Sequence, residues 1–135
     1  MAQSIPAPAQ SVILPFDTAN DMILVHVRIN GGEYLMLLDT GAQHTIVGQL
    51  NQNKGKNRSK DTNAGLLLNA SGIKATIEFK GMPIIKTHIL EANLEDFGKR
   101  FGDARVNGIL GQDLLSLFSY VRIDYKAHQI EMVKL

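Results

Sequence analysis

Asp39 ends a run of five apolar residues, Tyr34 to Leu38, and is followed at once by Thr40, Gly41 and Ala42. A carboxylate at the end of a buried strand is held in place at little cost, which suits it to chemistry. Gly41 has no Cβ and lets two backbones approach closely, Ala42 is small enough for the same crowding, and the Thr40 hydroxyl can hold the turn by hydrogen bonds. One such acid does little alone. Two at hydrogen-bond distance cannot both ionise, so they share a proton, and one then serves as base toward water while the other serves as acid toward a carbonyl oxygen. The plainer alternative is an Asx turn, in which the Asp39 side chain only caps its own backbone.

The elements that must position Asp39 are short and β-rich, with turn signals between them, which is the spacing of a small all-β barrel or sandwich. In "MILVHVRI" (22 to 29), Ile23, Val25, Val27 and Ile29 alternate with Leu24, His26 and Arg28. Asn30-Gly31-Gly32 supplies the positive φ of a tight hairpin, and 33 to 38 is the return strand. Apolar at every position from Tyr34 to Leu38, that strand is expected to be covered on both faces. Residues 49 to 65 are polar and basic and are expected to form a mobile loop. Residues 66 to 90 are expected as strands broken at Ser71-Gly72 and Lys80-Gly81, with Ile73, Ala75, Ile77 and Phe79 on the inner side of a half-exposed strand. One helical turn is expected near Leu94 to Phe97. "NGILGQDLLSLF" (107 to 118) reads as a short apolar strand, a glycine and a helical start that groups Leu114, Leu115 and Phe118. A hairpin turning near Lys126-Ala127 closes the chain.

The 135 residues are enough for one domain that buries about two-thirds of its unfolded surface. Residues 1–10 are expected as a flexible tail and 11–135 as the domain. A net charge of +1 with 20% charged residues names no partner and gives no reason to expect nucleic acid. The absence of cysteine excludes disulfides, thiolate nucleophiles and cysteine metal sites. His26, His44, His88 and His128 lie on separate segments without metal-ligand spacing, so no metal is expected. Of the four, His44 stands beside Asp39, where it would tune substrate or pH response. Asp103, Asp113 and Asp124 are expected to cap a helix or turns. No apolar run approaches the roughly 20 residues of a membrane span. The opening "MAQSIPAPAQ" is compatible with a mature terminus after signal-peptide removal, which would place the protein in the periplasm or outside the cell, and otherwise in the cytoplasm.

"LLDTGAQHTIV" (37 to 47) resembles the active-site segment of the aspartic proteases: two apolar residues, Asp-Thr-Gly-Ala, two variable positions, then Thr or Ser and an apolar pair. "NGILGQDLL" (107 to 115) resembles the apolar-apolar-Gly strand and following helix that support the active-site loop in retroviral-type enzymes. The two motifs stand in the expected order and together cover most of the chain. The likeness is to retropepsin-like bacterial aspartic proteases, which also have an Asn-Gly hairpin before the motif and end in Ile-Asp-Tyr, here Ile123 to Tyr125.

The resemblance implies an all-β fold, a small closed barrel of the acid-protease type with one short C-terminal helix. It implies an aspartic endopeptidase that needs no cofactor, with Asp39 as catalytic acid, Thr40, Gly41 and Ala42 in the active-site loop, and Ile109, Leu110 and Gly111 as supporting strand. Because the sequence holds a single Asp-Thr-Gly, the second acid is expected from a second copy in a symmetric homodimer acting on a peptide or protein. Thr40 would bond across the twofold axis, Gly41 carbonyls would receive substrate backbone, and a segment within about 49 to 72 would act as a flap. The basic residues Lys54, Lys56, Arg58 and Lys60 would then favour acidic peptides. Retroviral enzymes commonly pair an acid after the alanine with an arginine after the second glycine. Here those positions are Gln43 and Gln112, where a neutral amide contact is the expected substitute. The alternatives from other classes are an inactive peptide-binding or assembly module with the same fold, and a precursor or fragment that is active only after processing.

Overall fold

Tight pairing begins at the hairpin of β3 (Met22–Ile29) and β4 (Gly32–Leu38). Ile29 pairs with Gly32, and the two loop residues, Asn30 and Gly31, have φ of 50° and 81°, the left-handed values that match strand twist. The computed structural model describes residues 10–48, 58–63, 66–94, 97–101 and 105–134. Within them β4 is covered on both sides, as its apolar run predicts. Tyr34 and Met36 join the larger core cluster, while Leu35 and Leu37 pack in a second one with Ile46, Val106 and Ile109.

Six strands close a barrel: β3, β4, β9 (Val106–Leu110), β5 (Ile46–Gly48), β8 (Ile85–Ala92) and β7 (Leu66–Glu78), with β7 returning to β3. The seam is short, Arg28 opposite Glu78 and Ile29 opposite Ile77. Asn30 extends it, donating its N–H to Thr76 O at 2.9 Å and accepting the Thr76 N–H on Oδ1 at 2.9 Å. Strands β4 and β9 run parallel and slip register between Leu35 and Met36. The bulged Asn107 uses its own Oδ1 to accept the Leu35 N–H at 2.9 Å, so the irregularity leaves no orphan donor there.

Strands β2 (Asp17–Ala19) and β6 (Arg58–Asn63) extend the closed ring on β3 and β7. A separate antiparallel sheet joins β1 (Gln10–Pro15), β11 (Gln129–Lys134) and β10 (Tyr120–Asp124), in that order. Val12, Leu14, Ile130 and Met132 carry its inner face into the larger core. One helical turn, α1 (Gln112–Leu115), buries Leu114 and Leu115.

Several expectations need correction. Residues 58–63, expected in a loop, form a strand because the already extended β7 offers its edge, and backbone pairing from Arg58↔Ser71 to Asn63↔Leu66 does not need an apolar pattern. Positions 49–57, with Lys54 and Lys56, lie outside the described residues. Strand β7 runs through Ser71-Gly72 without a break, since Gly72 keeps a negative φ and both its neighbours in the sheet stay in register. The break at Lys80-Gly81 is present, with Gly81 at φ 91°. The single turn expected near Leu94 to Phe97 is present as the Phe97 N–H donating to Leu94 O at 3.0 Å, and it runs on into a 3-10 turn at Gly98–Phe101. Of the expected tail, residues 1–9 lie outside the described residues, and Gln10 already pairs with Lys134. No helix among the described residues is long and apolar enough to cross a membrane.

Tyr34 illustrates how deeply β4 is enclosed. Its side chain is 1% exposed, with the hydroxyl 3.5 Å from Gly48 O. Desolvation, and then the negative charge of Glu91, push the phenol from its usual 10 up to about 12. The fold therefore favours the neutral phenol, a contribution that is full below pH 10 and is lost as pH rises through about 12. A spectrophotometric titration is expected to show one tyrosine ionising near pH 12, and Tyr34→Phe should remove that step and the matching loss of stability.

Candidate active site

Asp39 sits where β4 leaves the barrel. Its N–H donates to Leu110 O at 3.0 Å, which prolongs the parallel β4–β9 ladder by one bond. The chain then turns: Ala42 N–H donates to Asp39 O at 3.1 Å, and Gly41 N–H donates to Asp39 Oδ1 at 2.9 Å. The Asx turn expected as the plain alternative is thus present, and it occupies only one carboxylate oxygen. Among the described residues nothing else binds that side chain, which is half-buried.

A second loop clamps the first. Gln112 N–H donates to Ala42 O at 2.8 Å and Asp113 N–H to Gln43 O at 3.1 Å. Between them stands Gly111, where a Cβ would come within 2.7 Å of His44 O and 3.0 Å of Ala42 O. Both obstacles are backbone, so only glycine fits there without moving a loop. Ala42, Ile109 and Leu110 are buried at 0–1% exposure and form the apolar floor beneath the turn.

The bolt across the two loops is Thr45, which is fully buried. Its hydroxyl donates to Asp113 Oδ1 at 2.6 Å and accepts the Gly111 N–H at 3.0 Å, while its own N–H reaches both Asp113 oxygens at 2.9 Å. Asp113 Oδ1 also accepts the Leu114 N–H at 2.8 Å. Asp113 was expected only to cap, and it caps and crosslinks together. Asp124 does cap its turn, accepting the Ala127 N–H at 3.0 Å. Asp103 lies outside the described residues.

The expected contact between Gln43 and Gln112 side chains does not form. Gln112 Nε2 instead donates to Thr40 O at 2.9 Å, while Gln43 contributes its backbone carbonyl to Asp113. Thr40 and Gly41 are exposed. Of the histidines, His26 is 3.6 Å from Asp17, His128 stacks on Phe16 with centroids 5.2 Å apart, and His44 and His88 are exposed. No three metal-ligating side chains gather among the described residues.

Asp39 and Thr40 line an open cleft of about 480 Å³. Leu37, Leu38 and Ile23 form its barrel side, and Ile123 and Tyr125 close it from the three-stranded sheet. Asp21 and Met22 complete the wall. Those last four were not picked out as cleft residues in the sequence, because they reach it only through tertiary packing. Chemically, Asp39 offers a carboxylate on a fixed backbone, with one oxygen free of protein partners among the described residues.

The family model for the retroviral aspartyl protease matches residues 20–120. The chain belongs to that family. The match runs from the turn before β3 to the first residue of β10, so β1 and nearly all of the β10–β11 hairpin lie beyond it. Among solved structures, this retroviral-type chain is similar to a retropepsin-like aspartic protease from Rickettsia conorii, with TM-score 0.56 and 16% identity over 92% of this chain and 90% of that one. That likeness establishes the shared fold. The protease of EIAV is also similar, with TM-score 0.48 and 27% identity over 69% of this chain and 84% of that one. No curated protein gives a match.

The clamp makes a stability prediction. Gly111→Ala should cost about 1–3 kcal/mol by overpacking, and Thr45→Val about 1–3 kcal/mol by stranding the Gly111 N–H and an Asp113 oxygen. Both act on one contact, so urea unfolding of the double variant should show less than the sum. Thr45→Ser, which keeps the hydroxyl, should recover most of the Thr45→Val loss.

Proposed function

We propose that this chain is an aspartic endopeptidase working as a symmetric homodimer, in which two Asp39 carboxylates face each other and activate one water between them. The observation that carries this reading is the Asp39 loop: its backbone is clamped by Gly111 and Thr45, yet one carboxylate oxygen opens onto the cleft. A merely structural Asx turn does not call for a second loop bolted underneath. These 135 residues hold one Asp-Thr-Gly, and a twofold axis supplies the second acid from a second copy without extra sequence.

In the pair, the two acids share one proton. The ionised Asp39 takes a proton from the water, whose oxygen attacks the peptide carbonyl carbon, while the protonated Asp39 gives its proton to the carbonyl oxygen. A tetrahedral diol results. Collapse of that diol returns a proton through the pair to the peptide nitrogen, the C–N bond breaks, and a carboxylic acid and an amine leave. Thr40 is free to bond across the axis, since Gln112 holds only its backbone carbonyl. Gly41 is exposed where its carbonyl can take substrate backbone. Ala42, Ile109, Leu110 and Gly111 are positioning residues that keep the turn rigid. The β6–β7 hairpin is the candidate flap.

Wild-type protein is expected to cleave unfolded casein at mildly acid pH, and Asp39→Asn to lower the rate by about a thousandfold or more, with both forms sedimenting as dimers. Equal cleavage by the two would remove Asp39 from the chemistry. Absence of cleavage by both, with peptide still bound, would instead favour a binding module built on the same fold.

A further inference from the structure

The cleft that holds Asp39 contains a second acid. Asp21 lines the same space of about 480 Å³, and among the described residues no basic side chain lines it. Its position is set by backbone geometry: Ala19 pairs with Met22, so Asn20 and Asp21 are the two residues of a tight β2–β3 turn, at φ 50° and 64°. Both are left-handed, a conformation that Asn and Asp adopt more readily than most residues, so the turn holds the carboxylate at a defined place on the rim. Among the described residues Asp21 makes no ion pair and no hydrogen bond. Asp17, on the adjoining β2, behaves differently, lying 3.6 Å from His26.

Met22, Ile23, Leu37, Leu38 and Ile123 give the wall its apolar part, and Thr40 and Tyr125 add hydroxyls. An open cleft with apolar patches on its wall and a carboxylate without a protein partner among the described residues fits a side chain with a long hydrocarbon stem and a cationic tip. Lysine and arginine bury their methylenes along such walls while the charge stays at the polar end. A glutamate or aspartate would meet two carboxylates in a confined space.

We propose that Asp21 is a specificity-determining residue that selects substrates with lysine or arginine next to the scissile bond. The proposal rests on the proteolytic reading of Asp39 for its substrate class, and its charge logic rests on the cleft alone. It runs against the acidic-peptide preference that a basic flap would impose, since Asp21 lies in the cleft with Asp39.

The test uses full-length protein and peptides that differ only in one residue flanking the scissile bond: Lys, Arg, Met or Glu. Wild type is expected to show the highest kcat/KM for the Lys and Arg peptides, and Asp21→Asn to lower the ratio of Lys to Met by about tenfold, the size of one charge-assisted hydrogen bond. Asn also suits a left-handed turn, so the variant tests charge and leaves the backbone in place. Added salt should compress the wild-type ratio and leave that of Asp21→Asn flat. Equal ratios in the two proteins, or a wild type that prefers Glu or Met, would overturn the proposal while proteolysis stands. A parallel binding series on Asp39→Asn separates the two claims. If nothing is cleaved, yet the Lys peptide binds more tightly than the Met peptide and that preference disappears in the Asp21→Asn/Asp39→Asn double variant, the proteolytic reading falls and the cationic preference survives. If the two peptides bind alike in that series, the preference falls.

Discussion

Everything at the candidate site depends on how closely two loops approach at Gly111. There the backbone of one loop lies against the carbonyls of Ala42 and His44 at distances no side chain tolerates. Such contact brings polar backbone groups out of water, and each must find a partner or cost stability. The buried Thr45 hydroxyl answers for the Gly111 N–H, and Asp113 answers for Thr45. A short chain of hydrogen bonds thus turns two glycine-rich turns into one rigid platform, from which Asp39 rises. Asp39 itself spends one oxygen on the Gly41 N–H and keeps the other available.

Much of the barrel was legible because burial leaves a periodic mark. The β3 alternation and the continuous apolar run of β4 announce, respectively, a strand with a polar side and a strand between two layers, and the clusters around Met36 and Leu37 fill both sides. The hairpin at Asn30-Gly31 was legible from turn chemistry, and the C-terminal hairpin from its paired apolar residues. Strand β6 was not legible, since it is held by backbone pairing to β7 and its polar residues carry no such mark. Glycine misled at position 72, where it sits in ordinary extended backbone and ends nothing.

The candidate site was legible at Asp39, Thr40, Gly41 and Gly111, where a motif compresses the geometry into adjacent residues. It was not legible where partners lie far apart in sequence. Thr45 and Asp113 are 68 positions apart, and neither residue type announces a partner. The Gln112 side chain bonds the Thr40 carbonyl and not the Gln43 side chain, a choice of acceptor that residue type does not announce. Asp21 reaches the cleft because the β3–β4 register, with Leu24 opposite Leu37, carries the start of β3 beside the end of β4, a placement that depends on strand pairing and not on the residue's own type.

The three-stranded sheet has a consequence for how the molecule is made. Strand β1, at residues 10–15, finds its partner only in β11, at residues 129–134. An emerging chain therefore carries β1 without this mate until residues 129–134 have left the ribosome, whereas the β3–β4 hairpin can zip as soon as it is exposed. Contacts so distant in sequence close slowly. The barrel is therefore free to assemble first, and β1, made before it, is among the last strands to be stitched in.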